Sequence, residues 1–152
     1  MVIKMAKDPK THTSLHILKG AVQKTLGATL TTGVHEENNK GMLTVAFDRK
    51  PTDEEMKLVQ DEVDKNIEEN IPVEVFEMDR DEAEGKFGDK IYDKFIVPPH
   101  IRRLKIAQIK GWNINCCACE HTHTTGEVGK IRIIKHRFRN AKQQLEISFL
   151  VG

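Results

Sequence analysis

Cysteine is scarce in this sequence and confined to one place. The chain of 152 residues contains three cysteines, and all of them lie between positions 116 and 119. Residues so close together cannot join distant parts of a fold by disulfide bonds, and an odd number without an export signal indicates a reducing compartment. The sequence therefore excludes a secreted scaffold that depends on disulfides.

Long hydrophobic runs are absent as well. Residues 1–4 do not begin an apolar segment long enough for an export signal, and no stretch approaches the length that crosses a membrane. Internal repeats, low-complexity segments and a dividing linker are also missing, and 152 residues can bury a core alone. We expect one soluble, cytoplasmic domain over 1–152, without a membrane partner.

Metal-binding residue types, by contrast, recur in two motifs of the same spacing. His12 and His16 open an apolar-periodic segment that predicts a helix ending at Gly27, and residues four apart on a helix share one face. Cys117 and His121 repeat the spacing about a hundred residues later. Either pair alone is common on surfaces and in cores. Together, three nitrogens and one sulfur suit zinc better than calcium or magnesium, so we predict a Zn²⁺ site.

The second motif and the residues after it resemble a known signature. Cys117-x3-His121, followed by Thr-Gly-Glu-Val-Gly at 125–129, is similar to the Cys-x3-His and Thr-Gly-Glu-Ile-Gly of the alanyl-tRNA synthetase editing domain. The freestanding AlaX trans-editing proteins share it, and His12-x3-His16 stands where that family carries its own His-x3-His. The resemblance covers nearly the whole chain, and the sequence is identified as a member of the short freestanding AlaX class.

Two departures from the family pattern are visible. Synthetase-type editing domains usually have two glycines inside the Cys-x3-His segment, where this chain has Ala118, Cys119 and Glu120. The glycine-rich insertion and the additional tRNA-binding domain of the longer freestanding forms are missing. The backbone near the metal is therefore expected to differ from that of the synthetases.

The remaining pattern predicts an α+β fold. Thr52 and Glu55 form a capping box before a helical periodicity that runs to Ile67, and Asp79 can cap a short helix that ends before Gly88. Strands are predicted over 28–34, 42–48, 72–78, 103–110, 130–138 and 144–151, with hairpin connections at 35–41 and 139–142. The expected architecture has two layers, with helices packed on a mainly antiparallel sheet, as in the threonyl- and alanyl-tRNA synthetase editing domains.

Charge is unevenly distributed along the chain. Residues 53–93 contain sixteen acidic against five basic residues, and residues 94–152 contain eleven basic against three acidic residues. The basic part could neutralise phosphates, or its side chains could pair with the acidic helix. The resemblance favours RNA, and four arginines are predicted to bind tRNA: Arg102, Arg103, Arg137 and Arg139.

The resemblance implies hydrolysis of mischarged tRNA for alanine, with seryl-tRNA as the substrate and glycyl-tRNA as a further candidate. A site that selects serine over alanine needs a partner for the serine hydroxyl, because that partner is left unpaired when alanine enters. Thr29, Thr31 and Thr32 follow the first helix, and the family has a threonine in this strand that is implicated in serine recognition. We predict Thr31 or Thr32 for this role; strand propensity alone also explains such a cluster.

The sequence identifies no catalytic side chain apart from a zinc-associated water. Four protein ligands are typical of a structural zinc, although expansion to five ligands or loss of one ligand would admit water. Glu127 is expected to brace the backbone or to orient a ligand. Cys116, Cys119 and His123 are expected to take no part. Two alternatives stay open: a noncatalytic zinc-stabilised RNA-binding module, and a deacylase for another mischarged tRNA.

Overall fold

The computed structural model describes residues 8–94 and 96–152. The sequence prediction for residues 1–4 lies outside this part. In chain order the helices and strands are α1 (Pro9–Leu26), β1 (Thr31–Glu37), β2 (Lys40–Ala46), α2 (Asp53–Glu69), β3 (Val73–Asp79), α3 (Arg80–Phe87), β4 (Arg103–Ile109), β5 (Asn113–Cys116), β6 (Ile131–Arg139) and β7 (Gln144–Val151). Short 3₁₀ turns cover Thr125–Val128 and Asn140–Lys142. The predicted α+β class is confirmed.

Helix α1 is the central element of the fold. Asp8 caps its start by accepting a hydrogen bond from the Thr11 amide at 2.8 Å, and Gly27 ends it with a φ of 72°. The helix contacts α2, strands of the first sheet and β5. Because neighbours lie on several sides, every residue from 11 to 22 is buried, including His12 and His16.

The strands form two antiparallel sheets. The first has the order β1-β2-β7-β6, and the second has the order β3-β4-β5. The sequence pattern did not separate them, because antiparallel strands with one buried face look alike in either sheet. The capping box of Thr52 and Glu55 begins α2 as predicted, and Asp79 caps α3.

One local prediction was wrong, and one strand was not predicted. The first hairpin turns at residues 38 and 39 rather than through a loop over 35–41, because Asn39 takes the left-handed conformation (φ 64°) that a tight turn requires. Strand β5 was not predicted, since its four residues alternate between asparagine and apolar side chains and are too short for a clear pattern.

Apolar packing is concentrated under the first sheet. The larger core joins α1 and α2 to β2, β6 and β7 and includes Ile109 of β4, and the second sheet has a small separate core made of Ala83, Ile91, Leu104 and Ile106. In the described part of the chain, no helix has the length and apolar character needed to cross a membrane.

Candidate metal centre

The structure brings the four predicted metal ligands together. Their ligand atoms all lie within 4.8 Å of one another. His12 Nε2 lies 2.9 Å from Cys117 Sγ, and His16 Nε2 lies 3.2 Å from His121 Nε2. The three imidazole rings are nearly edge to face in two pairs and tilted in the third, with centroids 4.8 to 5.1 Å apart. Such convergence of three nitrogens and one sulfur could hold a metal ion.

Backbone contacts hold the two halves of this cluster in place. The histidines of α1 are one turn apart on the same side, as their spacing predicted. On the other side, the Cys117 amide donates to the Lys105 carbonyl at 2.9 Å, which extends the second sheet to the ligand. The Thr122 amide donates to Thr13 Oγ1 at 2.9 Å and ties the loop directly to α1.

Two further side chains orient the histidines. Glu36 Oε1 lies 2.8 Å from His12 Nδ1, and Asn113 Oδ1 lies 2.9 Å from His16 Nδ1. Each oxygen can accept the Nδ1 proton, so Nε2 of each ring is left unprotonated and turned toward the other ligands. This arrangement is typical of metal-binding histidines. Sequence reasoning missed both residues, because a glutamate or asparagine in a strand carries no signal of its own.

Burial sets the protonation of the cluster. It lowers the pKa of His16 well below its usual value, with a further contribution from the Lys19 charge, and lowers the pKa of His121 to about 4. Burial also raises the pKa of the Cys117 thiol to about 12. The His16 and His121 imidazoles are therefore neutral, as ligation requires, while the Cys117 thiolate needs a nearby cation. A divalent metal fits this donor set because it supplies that charge.

The predicted serine-binding threonines lie at an irregularity in β1. The register between β1 and β2 shifts between Thr31 and Gly33, so Thr32 is an extra residue in the strand. Thr31 and Thr32 both line an open cavity of about 360 Å³, together with Gly33, Val34 and Asp93. Thr31 is buried, and the Thr32 hydroxyl donates to the Thr44 carbonyl at 3.4 Å.

The four arginines predicted to bind tRNA are divided between two parts of the fold. Arg102 and Arg103 lie at the start of β4, whereas Arg137 and Arg139 lie on β6 of the other sheet. Arg102 pairs with an aspartate at 2.7 Å and Arg139 with a glutamate at 2.8 Å. Arg103 is exposed, with an ion-pair distance of 4.0 Å. Its role and that of Arg137 stay predictions.

Arg103 also borders a second cavity beside the metal cluster. This cavity of about 330 Å³ is lined by Arg103, Lys105, Cys117 and apolar residues that include Val97 and Leu104. Two basic side chains and the acidic Glu77 therefore stand next to an apolar recess that reaches Cys117, one of the four converging residues.

The residues with minor expected roles lie around the four converging ligands. Glu127 accepts hydrogen bonds from the amides of His123 (2.6 Å) and Thr124 (3.3 Å), so it braces the loop that follows His121. His123 is exposed, as expected. Cys116 and Cys119 lie outside the group of four converging ligands.

Comparisons with known proteins relate the chain to a synthetase. No protein-family model matches the sequence. The alanine–tRNA ligase of Methanococcus aeolicus is 36% identical over 139 residues, which cover 90% of this chain and 15% of the ligase. The ligase of Methanopyrus kandleri is 29% identical over 91% of the chain and 15% of its own length. The ligase of a Saccharolobus islandicus strain is 33% identical over 81% of the chain and 14% of its own length.

The chain thus spans about 15% of the length of the curated relatives it matches. Each match covers most of the chain. The similarity to alanyl-tRNA synthetase agrees with what the two metal motifs indicated. The chain is therefore a protein related to alanyl-tRNA synthetase, similar throughout most of its length to one segment of that enzyme.

Proposed function

We propose that this protein is a zinc-dependent trans-editing deacylase that hydrolyses seryl-tRNA mischarged on the tRNA for alanine. The observation that carries the proposal is the convergence of His12, His16, Cys117 and His121, in a chain related to alanine–tRNA ligases. Glycyl-tRNA is a second candidate substrate, because a pocket built for alanine excludes the smaller glycine poorly.

Zinc fits this cluster better than the other common metals. Three imidazole nitrogens and one thiolate form a typical zinc ligand set, whereas calcium and magnesium prefer oxygen. When bound, zinc supplies a Lewis acid that polarises the carbonyl of an ester. Glu36 and Asn113 hold the two α1 histidines in the ligating tautomer, and Glu127 braces the loop that carries His121.

Strand β1 supports a place for the aminoacyl group. It runs back along α1, so that Glu36 contacts His12 near the start of the helix. Further along α1, Lys19 is bonded to Asp93, which lines the same cavity as Thr31 and Thr32. A serine side chain in this cavity would present its hydroxyl to the two threonines, and alanine would leave that contact unmade.

The acceptor end of tRNA is proposed to approach from the side of β4. Arg103 and Lys105 border the cavity that reaches Cys117, and positive side chains at such a rim attract phosphates. Glu77 lines the same cavity, but its 4.0 Å contact with Arg103 is longer than the ion pairs of Arg102 and Arg139. The ion pairs of Arg102 and Arg139 make these arginines weaker candidates, since a phosphate would have to displace a carboxylate. Arg137 would contribute only if the tRNA also reached the first sheet.

The decisive experiment measures hydrolysis of purified seryl-, glycyl- and alanyl-tRNA for alanine by the zinc-loaded protein, with seryl-tRNA for threonine in parallel. We expect cleavage of the seryl ester on the alanine tRNA. Thr31→Val and Thr32→Val remove one hydroxyl at similar size, so the variant that loses the serine contact should cleave seryl-tRNA about 5- to 150-fold more slowly. Cleavage of the glycyl ester should hardly change.

Each alternative predicts another outcome. Tight tRNA binding without hydrolysis, even with excess protein, would indicate a noncatalytic RNA-binding module. Preferential cleavage of the threonine tRNA would indicate a deacylase for that tRNA. An unchanged seryl-to-alanyl ratio in both single variants and in the double variant would mean that the serine hydroxyl is not read by these threonines.

A further inference from the structure

A buried lysine lies one turn beyond the metal-binding histidines. Lys19 is 6% exposed, and its ammonium donates to Asp93 Oδ1 and Oδ2, each at 3.2 Å, and to Asn115 Oδ1 at 3.1 Å. A buried ammonium is costly unless it is paired, and an ammonium has three donors. These three oxygens match those donors, so Lys19 is committed to holding Asp93 and Asn115.

Asp93 is fixed from three directions. Besides Lys19, the Asn115 amide donates to Asp93 Oδ1 at 3.2 Å and to the Ile91 carbonyl at 3.2 Å. The amide of Lys94 donates to the Thr31 carbonyl at 3.0 Å, which attaches this segment to β1. The position of the carboxylate is therefore defined before any ligand arrives.

The same carboxylate is the acidic group of the threonine cavity. Its side chain is 38% exposed, against 6% for Lys19, and it lines the cavity with Thr31, Thr32 and Gly33. A carboxylate offers about four acceptor positions, and Lys19 and Asn115 occupy three of them. The acceptor position that remains on the Asp93 carboxylate, beside two threonine hydroxyls, is complementary to a small molecule that carries an ammonium and a hydroxyl group.

We propose that Asp93 binds the α-ammonium group of the aminoacyl ester, and that Lys19 and Asn115 are positioning residues that orient its carboxylate. This inference rests on the proposed deacylase function and adds a recognition element to it. Serine would then be read at two points, with its ammonium at Asp93 and its hydroxyl at Thr31 or Thr32. Acyl groups without an α-amino group would be poor ligands.

The test uses stable adenosine analogues in which an amide replaces the ester. One carries L-serine, the second carries 3-hydroxypropanoate, which lacks only the amino group, and the third carries N-acetylserine. Calorimetry with the zinc-loaded full chain measures all three affinities. Since a hydrogen bond to a charged group is stronger than a neutral one, we expect wild-type protein to bind the seryl analogue about 10- to 100-fold more tightly than the other two.

The variant Asp93→Asn keeps the shape and removes the charge. It should reduce the preference for the amino group to about 3-fold or less, while the affinity for the 3-hydroxypropanoyl analogue stays close to that of wild type. Asp89→Asn is the matched control, because Asp89 is an exposed aspartate of the same segment and does not line the cavity. Thermal unfolding of both variants shows whether the fold is retained.

Three results would overturn the inference. They are equal binding of all analogues by wild-type protein, an equal loss of affinity for all analogues in Asp93→Asn, and an unchanged preference in Asp93→Asn. The first needs no variant, so it decides the matter even if Asp93→Asn does not fold. Hydrolysis assays separate this inference from the proposed function. Amino-dependent binding without hydrolysis contradicts only the deacylase, whereas hydrolysis with an unchanged preference in Asp93→Asn contradicts only the role of Asp93.

Discussion

The two sheets of this protein are held to the central helix by different forces. The first sheet packs on α1 and α2 through an apolar core in which Leu145, Ile147 and Phe149 are fully buried. Among the described residues, the second sheet has a separate core of four buried residues and contributes Ile109 to the larger core, and its β5 also contacts α1 through polar side chains. The apolar contacts stabilise the fold, and the polar contacts position the side chains of the candidate metal site.

Hydrogen bonds connect α1 to β5 and to the turn before it. Trp112 Nε1 donates to the Ile17 carbonyl at 2.9 Å, and the indole packs over Gly20, where an added Cβ would collide with the ring. The contacts of His16 with Asn113 and of Lys19 with Asn115 follow along the same helix. Buried polar groups are costly to leave unpaired, so these hydrogen bonds favour one relative position of α1 and β5.

The largest effect is expected on the apolar side. Phe149→Ala removes a fully buried ring that packs beneath Gly41, and such a deletion should lower the free energy of unfolding by about 3 to 5 kcal/mol. Urea denaturation measures the change. Phe87→Ala is the control on the other side, where the ring is only partly buried against the small core. A greater loss from Phe87→Ala would contradict the division between the two sheets.

Removal of the metal should destabilise the second sheet more than the first. Zinc at about 100 times its dissociation constant should stabilise the folded protein by about 2.7 kcal/mol. Chelation should then speed amide hydrogen exchange in β4 and β5, because Cys117 extends this sheet to the cluster, while β2 and β7 stay protected.

Two cysteine variants test the same point. Cys117→Ala should reproduce the effect of chelation without a chelator, whereas Cys119→Ala, which lies outside the converging group, should retain zinc binding. An equal loss of protection from amide hydrogen exchange in both sheets would mean that the metal stabilises the whole fold and not only the contact between α1 and the second sheet.

The same division explains what could be predicted from the sequence. Apolar periodicity and capping residues place α1, α2 and α3, because each buries a stripe or begins at a side chain with a known role. The spacing of the two motifs identifies the four side chains that the structure brings together. Glu36 and Asn113 were missed, since each contacts a histidine that only the folded chain brings near.

The bulge in β1 shows a further limit. Strand alternation predicts that Thr31 and Thr32 point to opposite faces, so the sequence could not decide which of them faces the cavity. The register shift between Thr31 and Gly33 places both beside it. One extra residue in a strand leaves no pattern in a single sequence, and bulges of this kind are frequent next to functional sites.

The smallest expected effect concerns Glu36, a residue of the first sheet that contacts the candidate metal site. This carboxylate stands on β1 of the first sheet and holds His12 through Nδ1. Glu36→Gln keeps size and burial but weakens the hydrogen bond that orients the ring, so zinc affinity should fall by about 10- to 100-fold with little change in folding without metal. Competition with a chromophoric chelator measures the affinity. Glu37→Gln is the matched control, because Glu37 is the half-buried neighbour of Glu36 and pairs with His35 instead of His12. Equal zinc affinities in the two variants would show that the second sheet and α1 hold the metal without help from β1.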